Sequence, residues 1–240
     1  MLPFIYFFWK LDSSALELNN LLILAGVIIS AITANLLVFY SLKWEKVSNL
    51  EPARILEPLL IIILALIFSL FINSGFYNTN LKVLIPALIA AFAIIFSHTS
   101  KSRISFNKYF IAAILGSFFF ALELILSRLI LNFYSPVTFY FIRCSAIFLI
   151  SLIIFKPNFK ELDKKTFGLT FITGVIWVVY RIVVYYGYLN YGIIFTTLMI
   201  MLGPIFIYIF AYIFLKEKLN WKNITTAIII IGCVLYVSLA

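Results

Sequence analysis

The chain has 240 residues, of which 65% are hydrophobic and only 11% charged, with a formal charge of +9. A water-soluble domain runs near about 45–50% apolar and about 25% charged, so this composition excludes one: lipid must replace water around most of the polypeptide. The basic excess would suggest nucleic acid in a soluble protein, but here it gathers in short connections between apolar runs, so no nucleic-acid partner is expected.

A hydrocarbon core of about 30 Å needs roughly 20 apolar residues per helix. Backbone that leaves its N–H and C=O groups unpaired cannot sit in lipid, which favours helices. The strands of a membrane barrel would alternate in polarity, and these segments are apolar all round. The expected fold is an all-α polytopic membrane protein. Residues 2–9 are too short to span and lack a basic leader, so they do not read as a signal peptide. Eight spans follow, at about 21–42, 49–72, 81–97, 107–131, 136–155, 166–189, 193–215 and 221–239. Asn73, Ser74, Gly75 and Asn78, and then Ser135-Pro136, mark turns between them. Trp44 and Trp221 fall at span ends, where an indole buries its ring and keeps its N–H wet. Cys144 and Cys233 lie inside apolar runs and read as small packed residues.

Basic residues divide unevenly between the two sides. One set of connections holds Lys43, Lys46, Lys101, Arg103, Lys108, Lys156, Lys160, Lys164, Lys165, Lys216, Lys218 and Lys222, against Lys10 and Lys82 on the other. The positive-inside rule places the connections at 43–48, 98–108, 156–165 and 216–222 in the cytoplasm. The expected location is therefore the plasma (inner) membrane, multi-pass, with the C-terminus outside. The Asn223-Ile-Thr sequon is discounted because it falls on the cytoplasmic side.

Sliding the sequence by 146 residues lays Leu56, Pro58, Ile61, Ile63, Ala65, Ile67 and Phe68 on Leu202, Pro204, Ile207, Ile209, Ala211, Ile213 and Phe214, with Tyr40 on Tyr186. The offset pairs the first span with the sixth and the second with the seventh. Those partners are five helices apart, an odd number, so the two copies cross the membrane in opposite senses. Inverted repeats of this kind give secondary transporters two alternately open faces around one central site. The same register sets residues 4–10 on residues 150–156, so residues 2–9 read as the back half of a span. The first module, 1–98, is then incomplete at its N-terminus, through a misplaced start codon or as a natural short form. The second module, 106–240, has five helices.

The second half also carries a series of motifs in order: Leu131-Asn-Phe-Tyr-Ser-Pro136 with Phe139 and Arg143, Tyr185-Tyr186-Gly187-Tyr188, Gly203-Pro204, Leu215-Lys216-Glu217-Lys218-Leu219 and Ile231-Gly232. This order resembles the EamA-type module of the drug/metabolite transporter superfamily. The resemblance covers 107–240 and, more weakly, 1–97. Lys216 stands where the family has Gly before its Glu, and the first copy lacks the Glu exit. The resemblance implies a proton-coupled or facilitative carrier of small metabolites, built from two five-helix modules.

Charges inside spans cost about 2.5–3.5 kcal/mol on insertion scales, and they usually face a cavity or a partner. At about 1.5 Å per helical residue, Glu123, Arg143 and Arg181 lie at similar depth, roughly 10–12 Å below the outer ends of three consecutive spans. One acid with two bases suits an anionic or carboxylate-bearing substrate, which an Arg fork binds bidentately. Glu57 and Asn35 form an inner layer: Asn35 is the repeat mate of Arg181, and Glu57 that of Gly203. Pro58, Gly203 and Pro204 are the expected helix breaks, because a proline removes a backbone donor. The expected carrier binds a metabolite between spans one, two, six and seven, with Glu57 or Glu123 taking up a proton and Arg143 or Arg181 holding the substrate.

Blander roles compete with these. Arg128, three residues from its span end, reads as snorkelling to the interface, and Arg143 could simply tether Glu123. Tyr180, Tyr185 and Tyr188 read as an interfacial belt. No Walker loop, dinucleotide-binding glycines or Cys/His metal spacing occurs, so neither cofactor nor metal is expected and enzyme activity is not. The alternatives are an integral membrane enzyme acting on a lipid-linked substrate, for which Asp-Asp or Asp-x-x-Asp runs are lacking in the connections, and a non-transporting partner protein. The expected partners are the lipid bilayer, a small metabolite and protons, with a homodimer as one answer to the missing helices.

Overall fold

The computed structural model describes residues 6–45, 47–72, 80–98, 107–157, 163–215 and 221–239. The turn residues Asn73, Ser74, Gly75 and Asn78, the basic residues Lys46, Lys101, Arg103, Lys160, Lys216 and Lys218, and the Lys216-Glu217-Lys218 exit lie outside them. Among the described residues the secondary structure is helical, apart from an isolated antiparallel bridge between Leu11 and Tyr134. In chain order the helices are α1 (Leu18–Trp44), α2 (Val47–Arg54), α3 (Glu57–Phe71), α4 (Leu81–His98), α5 (Lys108–Ile130), α6 (Pro136–Phe155), α7 (Lys164–Asn190), α8 (Ile193–Ile200), α9 (Gly203–Leu215) and α10 (Trp221–Leu239). Short 3-10 turns occupy Ser13–Leu16 and Leu131–Phe133. Six stretches are long and apolar enough to cross a membrane, and Leu81–Ser97 and Ile193–Phe206 are shorter apolar helices. The chain is an all-α polytopic membrane protein.

Two of the expected spans are interrupted. A turn at Ile55–Leu56 separates α2 from α3, and a turn at Met201–Leu202 separates α8 from α9. The second turn lies 146 residues after the first. Shifted by the same 146 residues, α1 and α2 acquire the bounds of α7 and α8 at both ends. Helix ends depend on caps and breakers as well as on apolar content, so this coincidence of four boundaries supports the repeat independently of residue identities.

The surface is the reverse of a soluble protein's. Phe39, Phe71, Phe92, Phe148 and Phe214 are exposed, whereas Ala31, Ala34, Ala53, Ala87, Ala90 and Ala121 are fully buried along with Ser30, Ser41, Ser117, Ser127 and Thr226. Lipid tails are as apolar as leucine, so helix association in a membrane rests on close packing of small residues and on interhelical hydrogen bonds. Small alanines and serines therefore fill much of the interior, while many of the phenylalanines face out.

The described residues fall into two compact units: Met1–Ile32 with Leu126–Asn190, and Thr33–Ile125 with Tyr191–Ala240. In the first, α6 packs against α7. Ser135 caps α6 by accepting from the Thr138 N–H at 3.1 Å, and Pro136 occupies the first turn, where a missing N–H costs nothing. Residues 8–12 run across this start as a strap. The Lys10 N–H donates to Thr138 Oγ1 at 3.0 Å, the Ser135 N–H to the Lys10 carbonyl at 3.1 Å, and the Asp12 N–H to the Phe133 carbonyl at 2.9 Å. The Ser135 hydroxyl donates to the Phe8 carbonyl. Asp12 in turn accepts from the Ser14 N–H, a bond that holds its carboxyl below the usual carboxylate range.

In the second unit, α4 packs against α10, and α8 packs against α3 and α4. The α4–α10 pair is antiparallel. At one end the Thr226 hydroxyl donates to the Ala93 carbonyl at 3.0 Å, Phe96 meets Trp221 edge to face, and the Lys222 ammonium sits 4.8 Å from the Phe96 ring centre. Gly116 on α5 sits against α1: a Cβ there would lie 2.7 Å from Val38 Cγ2 and 3.4 Å from the Ala34 carbonyl oxygen. Only glycine permits that approach. Gly192, between α7 and α8, has φ 83°, a conformation that disfavours any other residue.

Candidate functional site

Local sequence places the two deep arginines. On α6, Phe139, Tyr140 and Arg143 share a face. On α7, Trp177, Arg181, Tyr185 and Tyr188 recur at helical spacing of three and four. Because these helices pack together, the two faces build a buried cluster inside the first unit. Arg143 and Arg181 are each only 5% exposed, and Phe139, Tyr185 and Tyr188 are fully buried. The Tyr185 ring meets Phe139 edge to face at 5.1 Å and Tyr140 at 6.2 Å, and Tyr188 lies 6.5 Å further on.

Both guanidiniums face aromatic π-systems. Arg143 sits 5.9 Å from the Tyr140 ring centre and Arg181 5.5 Å from that of Trp177. Such contacts are worth about 0.5–1 kcal/mol when exposed and about 2 kcal/mol or more when desolvated. They offset part of the cost of holding a cation at that depth. Tyr140 links the two helices, its ring meeting both Tyr185 and the Arg143 guanidinium. Arg143 also donates a long contact of 4.0 Å to the Cys144 sulfur.

Glu123, on α5, belongs to the second unit and is fully buried. Asn35 is half-buried in the middle of α1. Glu57 and Pro58, both half-buried, form the first turn of α3, where the exposed N–H groups of a helix start favour a carboxylate. The preceding Ala53 carbonyl accepts from the Leu56 N–H at 3.4 Å and from the Ser117 hydroxyl at 3.2 Å, so α5 supplies a donor at the break. Gly203, exposed, and Pro204 open α9, and a Cβ at Gly203 would meet nothing within 4 Å.

Two sequence expectations are corrected. Arg128 does not snorkel outward. It is buried, and it donates to Asn132 Oδ1 at 3.0 Å because Asn132 lies one turn further on, in the 3-10 segment. Tyr185 and Tyr188 form no interfacial belt; they are core residues of the first unit, and only Tyr180 of the three is exposed. Sequence reading also missed Tyr140, although its position one turn before Arg143 and Cys144 was a signal that it shares their face.

The sequence pattern of the EamA-like transporter family matches residues 107–239, more than half of the chain. The chain belongs to the EamA-like transporter family. It is accordingly a membrane transporter of the drug/metabolite type, and the match takes in Glu123, Arg143, Arg181, Gly203 and Pro204. No curated protein matches the chain significantly.

Proposed function

We propose that this protein is a secondary carrier that moves a small anionic or carboxylate-bearing metabolite across the plasma membrane by alternating access. The observation that carries this reading is the pair of buried guanidiniums, each set against an aromatic ring, on two packed helices of a transporter-family chain. A guanidinium fork matches a carboxylate in two parallel hydrogen bonds, and the surrounding aromatic rings lower the local dielectric in which those bonds act. Two modules of opposite sense, 1–98 and 106–240, would supply the two access states. The equal spacing of the two helix breaks, each followed by a proline, supports that arrangement. Glu123, fully buried in α5, and Glu57, in the first turn of α3, are the proton-coupling candidates, because acids inside membrane spans commonly serve as proton relays.

Uptake into proteoliposomes at a series of external pH values tests the coupling. Glu123→Gln or Glu57→Gln is expected to flatten the pH-dependence of transport while leaving pH-independent exchange in place. An unaltered pH profile in both variants would remove proton coupling from the proposal.

A further inference from the structure

The α4–α10 pair is tied at one end and flanked by a groove toward the other. From Thr226 and Ala93 to Trp221 and Phe96 the two helices are joined by a hydrogen bond and ring contacts. Toward the opposite end a groove of about 510 Å³ runs along the pair, lined by Leu81, Lys82, Ile85, Pro86, Gly232 and Tyr236 among others. Two residues keep it open. Pro86 interrupts the hydrogen-bond ladder within α4, and Gly232 presents no side chain, with open space where its Cβ would stand. Leu81 to Ile89 spans about 12 Å at the helical rise, most of the roughly 15 Å depth of one leaflet.

Among the described residues the lining has no acid and one cation, Lys82, in the first turn of α4, with Tyr236 on α10 also lining the groove. An apolar slot one leaflet deep, with an ammonium at its mouth, has the charge and shape of a phospholipid site. We propose that the groove binds an anionic phospholipid, one acyl chain lying along Pro86 and Gly232 and the phosphate meeting Lys82. This site is separate from the arginine cluster and does not depend on what the carrier transports.

Cys233 lines the groove and is partly accessible, so it reports occupancy. In a Cys144→Ser background, delipidated full-length protein in detergent is alkylated by a maleimide while phosphatidylglycerol or phosphatidylcholine is titrated in. Phosphatidylglycerol is expected to slow Cys233 alkylation at lower concentration than phosphatidylcholine, by about fivefold, the contribution of one lysine at an anionic surface. Lys82→Gln should abolish that preference. Gly232→Phe sets a ring into the slot from a position where a Cβ meets nothing within 4 Å, and should remove protection by both lipids while the protein elutes and melts as before. Equal protection by the two lipids, or a preference that persists in Lys82→Gln or Gly232→Phe, would overturn the proposal. Protection that follows protein concentration instead of lipid would overturn it too, and would assign the groove to a second copy of the chain.

Discussion

Removing one guanidinium from the arginine cluster separates binding from stability. Arg181 is 5% exposed and rests against Trp177. A hydrogen bond to a charged group contributes about 1.5–3 kcal/mol, so Arg181→Gln should weaken binding of an anionic substrate by about 10- to 150-fold. The same change loses a cation–π contact worth about 2 kcal/mol, so ligand-induced shifts are read against each variant's own unliganded melting temperature. Arg181→Lys keeps the charge without the fork and should fall between. The assay is thermal unfolding of purified protein against panels of small carboxylates, phosphates and amines. At 100 times Kd a ligand stabilises by about 2.7 kcal/mol. A variant binding about 100-fold more weakly retains only about 0.4 kcal/mol at that concentration. Arg128→Gln is the control, a buried arginine that donates to Asn132. Anion-induced shifts that survive in both Arg181→Gln and Arg143→Gln would refute the reasoning, as would a panel in which amines stabilise more than anions.

Two further changes test the packing that holds the candidate residues. Gly116→Leu should separate α1 from α5, because a Cβ alone would already lie 2.7 Å from Val38 Cγ2; overpacking costs about 1–3 kcal/mol, read as a lower melting temperature that Val38→Ala partly restores. Ser117→Ala removes the hydroxyl that donates to the Ala53 carbonyl, a bond worth about 0.6 kcal/mol in a membrane protein. Melting should move little, but amide exchange over residues 53–60 should quicken relative to the rest of α3.

Most of the helical layout was legible in the sequence, because a span must be about 20 apolar residues long and its ends carry turn residues or tryptophan. Burial was much less legible. Tyr185 and Tyr188 look like belt residues by type, but their spacing from Arg181 puts them on the face that meets α6. Arg128 looked interfacial by its distance from a span end, and only the fold shows Asn132 waiting for it. The Ser117–Ala53 bond joins residues 64 apart in the chain, and no local pattern encodes it. Depth along a helix can be counted from its ends, whereas the direction a residue faces depends on its neighbours.

The two helix breaks occupy equivalent positions in the repeat but differ in how they are held, which bears on how a carrier of this kind would move. After the first break, Pro58 cannot donate, and the Ala53 carbonyl beside it is met by Ser117 from α5. At the second, Gly203 stands in open space ahead of Pro204. A hinge is a short stretch that absorbs a change in backbone angles, and glycine does so at least cost. Of two breaks with the same spacing, the one carrying glycine is therefore the softer, and the one tied by serine the stiffer. Exact inverted symmetry would make both equally mobile. The departure of Glu57 from its mate Gly203 gives one copy a carboxylate at its break and the other a glycine. On the carrier reading, the α8–α9 break would bend during the transport cycle while the α2–α3 break keeps a protonatable group in place.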